Sequence, residues 1–194
     1  MNYQLELEKI INNLDGKKTL LLHSCCAPCS SYCITYLKDY FDITILYYNP
    51  NIEPISEYNK RKEEQIRLCN ILGVKVMDCD YDNSVYHDVI KGLEGELEGG
   101  KRCFKCYRLR LEKTATLAND FDYFGTTLTI SPLKNSKIIN EIGLELEKKY
   151  GNKYLLSDFK KKEGYKKSIQ LSKEYNLYRQ NFCGCIYSKG LKGD

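Results

Sequence analysis

Five short apolar runs, each followed by a polar segment and then by helical periodicity, constrain this chain more than any other feature. The alternation predicts strands at 19–23, 43–48, 74–79, 123–127 and 154–156, with helices in most of the intervals. Short strands separated by helices read as an α/β fold, a parallel sheet with right-handed crossovers and helices on its faces. Such sheets bind ligands beyond the carboxyl ends of their strands. The segments following the runs are "HSCCAPCS", "NPNIEP", "DYDNS", "TTLTISPLKNS" and "SDFKKKEGYKKS", all polar or rich in Gly, Pro, Asn and Ser. They are expected to gather at one rim, where the chemistry should lie. The length of 194 residues suits one domain, 1–194, and the glycine-rich stretch 92–100 reads as a loop, not a linker.

That rim is rich in sulfur. The chain has ten cysteines. Its amino terminus, "MNYQLELEKIINNLDGKK", has the alternation of a short amphipathic helix and lacks the basic start and apolar core of a signal peptide. No apolar run approaches bilayer-spanning length. A cytoplasmic protein with no membrane association is therefore expected, and in that compartment clustered thiols point to metal or redox work, not disulfides. Cys33, Cys69 and Cys79 lie among apolar neighbours and read as small core hydrophobes.

The other thiols come as "CCAPC", "CFKC" and "CGC". Cys103 and Cys106 are three apart at the start of a predicted helix, facing the same way, where a helix amino terminus lowers thiol pKa. Gly184 lets the backbone turn so that Cys183 and Cys185 approach a shared target. Cys25 and Cys26 are adjacent, hard to bridge to one another, and able to reach two neighbouring metal atoms. Six or seven thiolates, counting Cys29, exceed a closed zinc site, and the only histidines are His23 and His87, the latter assigned to a surface helix. Thiolate-rich sites suit iron-sulfur clusters, with surplus sulfurs for a second metal; zinc shared among the pairs is the other reading. The net charge of +4 is compatible with a polyanionic partner but decides nothing.

The stretches "HSCCAPCSSY", "YYNPNIEPISEYNKR", "RCFKCYRLRLEKTA", "TTLTISPLKNS" and "YLLSDFKKKEGYKKSIQLSKEYNLYRQNFCGCIYS" together resemble the successive motifs of QueH, the cobalamin-independent epoxyqueuosine reductase family. The resemblance covers residues 20–188 and includes the specific YRQ-x-x-CGC signature. It implies a HUP or PP-loop-like α/β domain and the last step of queuosine formation: reductive removal of the epoxide oxygen of epoxyqueuosine at the wobble position. The implied partners are a tRNA with a GUN anticodon carrying epoxyqueuosine and an unidentified electron donor. The implied cofactors are a 4Fe-4S cluster and a neighbouring mononuclear metal, iron being the expected ion. Carried over by position, the ligands are Cys25, Cys26, Cys103, Cys106, Cys183 and Cys185, with Cys29 a supplementary ligand to the second metal. The motifs do not divide the cysteines between the two centres.

Epoxide-to-alkene conversion needs two electrons and two protons and releases water, and an open metal position would act on the oxygen as a Lewis acid. Tyr178, Tyr107, Asp80 and Asp158 are the candidate proton donors. For RNA, Lys160, Lys161, Lys162, Lys166 and Lys167, with Arg102, Arg108, Arg110 and Arg179, are candidate phosphate contacts. Tyr47, Tyr48, Tyr178 and Arg179 offer planes for a nucleotide turned out of the anticodon stack. Asn49, Asn51, Thr126, Thr127, Ser131 and Lys134 supply groups for the base and its cyclopentane hydroxyls, although "TTLTISP" equally fits a strand end capping the next helix. Two competing readings are an ATP-dependent tRNA thiolation enzyme on a PP-loop fold and a zinc-stabilised RNA-binding module. The former should carry a glycine- and serine-rich phosphate loop after the first strand, where this chain has "HSCCAPCSS".

Overall fold

A computed structural model describes residues 1–191. Helix α1 (Tyr3–Asn12) precedes strand β1 (Lys18–His23), and α2 (Ala27–Leu37) leads to β2 (Phe41–Leu46). Helix α3 (Ile55–Leu72), β3 (Lys75–Met77), α4 (Asn83–Ile90) and α5 (Lys101–Thr116) follow. Strand β4 (Tyr123–Thr126) runs into a 3-10 turn at Thr127–Ile130, then come α6 (Ser136–Tyr150), β5 (Lys153–Tyr154), α7 (Gly164–Glu174) and a final 3-10 turn at Ile186–Leu191. No described helix is long and apolar enough to cross a membrane.

The five strands form one sheet in the order β3-β2-β1-β4-β5, every pairing parallel. All five strands expected from the apolar runs are present, with shifted ends. Tyr47 and Tyr48 fall beyond β2, and β3 is trimmed to three residues because, as an edge strand, it pairs only with Thr44–Leu46. Chain order runs outward from β1 to β2 and β3 on one side and through β4 to β5 on the other. The topological switch point therefore lies between β1 and β4, where Leu22 is in register with Gly125 and His23 with Thr126.

The central strand is apolar on both faces, as a parallel sheet covered by helices requires. Leu20 and Leu22 join α1 and α2 side chains such as Leu7, Cys33 and Leu37, while Leu21 faces the other way onto Leu111, Phe124, Ile139 and Leu146. Period-two alternation thus divides three consecutive leucines between two cores. Each is fully buried, worth about 1.5–3 kcal/mol per side chain. Cys33 and Cys69 lie in the first core with no exposure, as expected of small hydrophobes, and Cys79 is half-buried.

Candidate metal centre

Strand β1 delivers its last residue, His23, to the switch point fully buried. Its Nδ1 lies 3.0 Å from Thr126 Oγ1 and its Nε2 3.1 Å from the Tyr48 carbonyl. Burial, aided by the Arg110 charge, depresses its pKa to about 4, so the ring is neutral at physiological pH. The next residues are clamped from several sides. Ser24 N donates to the Leu46 carbonyl, Asn49 Nδ2 donates to the Ser24 carbonyl at 2.8 Å, and the hydroxyls of Ser24 and Ser30 both donate to Gln65 Oε1 at 2.7 and 2.9 Å.

This frame fixes three sulfurs. Cys26 is the extended residue capping α2, Pro28 occupies the first turn, and Cys29 follows one residue on. The Sγ atoms of Cys25, Cys26 and Cys29 all lie within 4.8 Å of one another, and those of Cys25 and Cys26 are 3.7 Å apart. Among the described residues no other group of three or more ligand-type side chains is drawn this close. Hydrogen bonds from Cys26 and Cys29, helped by Lys134 and Arg110, hold the Cys25 thiol well below its ordinary range. Its neighbours are pushed up, Cys26 to about 12, because they retain the protons that stabilise Cys25.

The other two cysteine pairs approach from α5 and the carboxyl-terminal segment. Cys103 and Cys106 occupy the start of α5, where Cys103 Sγ accepts from Gly99 N at 3.2 Å. Cys106 and Cys185 share a small apolar cluster with Tyr86 and Ile90. Burial raises Cys103 and pushes Cys106 to about 12, with Cys183 and Cys185 adding to both effects. The expected lowering by the helix terminus is therefore outweighed by desolvation.

Cys25, Cys29 and Cys183 line one cavity of about 370 Å³, together with Arg110, Lys134 and Arg179. Burial opposes the charges on Arg110 and Lys134, yet the surrounding sulfurs more than offset it and hold both firmly protonated. Arg110 is 1% exposed, donates through Nε to the Cys106 carbonyl, and leaves Nη2 without a partner. Gln180 Nε2 donates to Cys26 Sγ at 2.8 Å. Soft donors at this spacing, one with its pKa held well below the ordinary thiol range, with cations and an amide donor beside them, fit an iron-sulfur cluster.

Of the remaining sequence candidates, Ser131, Lys134 and Arg179 stand on the cavity wall, and Tyr107, 3% exposed, packs with Cys25 and Cys26. Burial raises the Tyr107 pKa, so its hydroxyl keeps its proton. Asp80 is exposed and outside the wall, and the Tyr178 hydroxyl donates to Glu57 at 3.1 Å. Asp158 accepts from Ser136 and pairs with Lys160 at 3.1 Å, which ties both into the fold. Thr126 is spent on His23 and on capping Leu128 N, the strand-end role its motif also allowed. Tyr47 is fully buried with its hydroxyl donating to the Tyr58 carbonyl, whereas Tyr48 is half-buried under Lys113. Asn51 and the Thr127 hydroxyl are buried without partners.

Among the flanking cations, Arg102 is buried and donates to the Glu94 and Glu96 carbonyls, so it tethers the glycine-rich loop and is not available to phosphate. Arg108 pairs with Glu145, Lys162 with Glu8 and Lys166 with Glu163, while Lys161 is exposed. His87 pairs with Glu53. Sequence reasoning gave no role to Gln180, Arg61, Gln65 or Tyr165. Gln180 lay within the quoted signature, and its spacing from the CGC run was the one available signal.

Two solved structures share this fold. The U34-tRNA thiolase NcsA from Methanococcus maripaludis, described with its 4Fe-4S cluster, aligns with a TM-score of 0.58 at 13% identity, covering 96% of this chain and 67% of that one. A predicted subunit of tRNA methyltransferase from Methanocaldococcus jannaschii aligns with a TM-score of 0.53 at 17% identity, over 80% of this chain and 76% of that one. The class is thus an α/β fold with a five-stranded parallel sheet and a sulfur-lined pocket at its switch point. A profile described as "Epoxyqueuosine reductase QueH" matches residues 20–190. The epoxyqueuosine reductase QueH of Staphylococcus epidermidis is 42% identical over 206 residues, covering 100% of this chain and 87% of that protein. Its counterpart from Streptococcus pyogenes serotype M1 is 41% identical over 196 residues, covering 97% and 77%. The chain belongs to the QueH family of epoxyqueuosine reductases.

Proposed function

We propose that this chain, acting as one catalytic domain over 1–194, reduces the epoxide of epoxyqueuosine at the wobble position of a GUN-anticodon tRNA and so completes queuosine. The observation that carries this reading is the convergence of Cys25, Cys29 and Cys183 on one cation-lined cavity of about 370 Å³. The reaction balances as epoxide plus two electrons and two protons giving alkene plus water, the electrons coming from an external reductant. Cys25, Cys26, Cys103, Cys106, Cys183 and Cys185, with Cys29 as a supplementary ligand, would together hold a 4Fe-4S cluster, which takes at most four of them, and a second, mononuclear metal, iron by expectation. When bound, these groups supply single-electron transfer and Lewis acidity.

The chain's own residues do the rest. Lys134 Nζ and Arg110 Nη2 present protonated donors where negative charge develops on the departing oxygen. Lys134, on the cavity wall, and Tyr107, packed with Cys25 and Cys26, serve better as proton donors than Asp80, Asp158 or Tyr178, whose positions are off the wall or committed elsewhere. Arg179, Leu133 and Tyr165 form the mouth; Leu133 and Tyr165 are 62% and 39% exposed, an apolar lip for an unstacked nucleotide. Ser131, on the cavity wall, is the candidate for the base and its hydroxyls, whereas Tyr48, Asn49, Asn51 and Thr127 lie off that wall.

The test is anaerobic incubation of the reconstituted protein and a reductant with tRNA carrying epoxyqueuosine, followed by digestion and mass spectrometry of the nucleosides. Loss of one oxygen is expected. Replacement of an oxygen by sulfur would transfer the chain to tRNA thiolation, and a colourless zinc protein without acid-labile sulfide would leave only RNA binding.

A further inference from the structure

Residues 177–185 form neither helix nor strand, yet they carry two of the cysteines and must hold them against the sheet. Their backbone groups are met by side chains from one face of α3. Arg67 Nη2 donates to the carbonyls of Tyr175 and Asn176 at 2.9 and 3.0 Å. Glu64 Oε1 accepts from Tyr178 N at 2.7 Å, and Glu57 accepts from the Tyr178 hydroxyl. Arg61 donates from Nη2 to the Phe182 carbonyl at 3.3 Å and from Nη1 to the Cys183 carbonyl at 3.1 Å, its guanidinium 4.9 Å from the Phe182 ring. Just before α3, Glu53 N donates to the Gly184 carbonyl at 2.9 Å.

The contacts to backbone groups proceed in antiparallel order, and residues 57, 61, 64 and 67 recur at the spacing that aligns side chains on one helical face. Arg61 is only 2% exposed and its charge is met by Glu57 at 2.7 Å. A buried guanidinium is tolerated only when paired and hydrogen-bonded, so its carbonyl partners cannot drift without cost.

We infer that α3 acts as a ruler for the CGC segment, with Arg61, braced by Glu57, the positioning residue that sets Cys183 and Cys185 before any metal arrives. The inference rests on the proposed function only in taking those two cysteines as ligands.

The test uses full-length, reduced, metal-free protein, so neither a cluster nor tRNA turnover enters and failure of the proposed reaction would leave it intact. Amide hydrogen exchange and iodoacetamide labelling are read by peptide mass spectrometry for wild type, Arg61→Met and Arg67→Gln. In Arg61→Met, exchange over 182–185 and labelling of Cys185 should rise ~10- to 100-fold, the span expected for losing charge-assisted hydrogen bonds. Cys33 and Cys69, both fully buried, should stay protected. Arg67→Gln, whose contacts stop at Asn176, should protect 182–185 as wild type does. Unchanged protection in Arg61→Met, or equal effects in both variants, would overturn the inference. If labelling of Cys33 shows that Arg61→Met has unfolded, Tyr178→Phe decides: it removes only the hydroxyl bond to Glu57 and should accelerate exchange over 178–185 several-fold, and no change there overturns the inference.

Discussion

Gln180 Nε2 donates to Cys26 Sγ across 2.8 Å, joining residues 154 positions apart. An amide donor at a ligand sulfur stabilises the more negative, reduced form of a cluster. Gln180→Leu should retain the fold and lower the cluster's reduction potential, by an amount on the order of 1 kcal/mol. A redox titration of the reconstituted protein followed by electron paramagnetic resonance checks this; an unchanged potential would show the bond to be electronically silent.

Two cysteines separate chemistry from packing. Cys183 lines the cavity and is half-buried, so Cys183→Ala should abolish turnover and reduce iron content with little change in Tm. Cys33 is fully buried in the core beneath β1, and Cys33→Ala should cost about 1–2 kcal/mol while leaving iron content intact. Iron analysis and urea unfolding of both proteins give the comparison.

Gly184 sits at φ +115°, a conformation that side chains rarely adopt, and an added Cβ would lie 2.8 Å from Ile52 Cγ1 and 3.1 Å from Arg61 Nη1. Gly184→Ala should therefore cost about 1–3 kcal/mol locally and impair metal loading. Gly73, at φ +67° with open space around it, is the control: Gly73→Ala should lower Tm modestly and load normally.

Tyr165→Ala should raise KM for tRNA about tenfold with kcat little changed, as expected for a lost stacking plane at the cavity mouth. Lys161, exposed, should act as a phosphate contact, and Lys161→Ala should reduce the salt slope of tRNA binding by about 1. Lys160→Ala should instead lower thermal stability, since its ammonium is committed to Asp158.

Arg67, and then the Tyr178 N–H, hold the Glu64 carboxyl below its ordinary value of 4.5. A folded-state value below the unfolded one means that this contribution to stability is complete above the ordinary glutamate range and is lost as pH falls through it. Protection of the amides over 175–181, referred to the intrinsic exchange rate at each pH, should fall on acidification below pH 4.5, and Glu64→Gln should flatten that response.

Periodicity and residue type suffice to read the sheet. Apolar runs of strand length between helical stretches admit few solutions other than a covered parallel sheet, and Leu20, Leu21 and Leu22 declare a strand buried on both faces because adjacent side chains in a strand point opposite ways. The cysteine pairs stood out because thiols at such spacings have few other uses, and the structure draws together the sulfurs of Cys25, Cys26 and Cys29 and sets Cys183 on the same cavity wall, which Cys103, Cys106 and Cys185 do not line. Strand ends were less legible: Tyr47 and Tyr48 look like strand residues, and only the turn toward Asn49 removes them from β2.

Tertiary structure alone decided which polar groups serve the site. Lys160 and Lys161 are adjacent and chemically identical, yet one is held by Asp158 and the other faces solvent. Arg102 and Arg110 share a helix and near-complete burial, yet one donates to the loop carbonyls of Glu94 and Glu96 and the other lines the cavity with the sulfurs. A local sequence specifies a side chain's chemistry and its helix or strand period. Its partners come from segments far along the chain, and for a charged group those partners settle whether burial is tolerated at all.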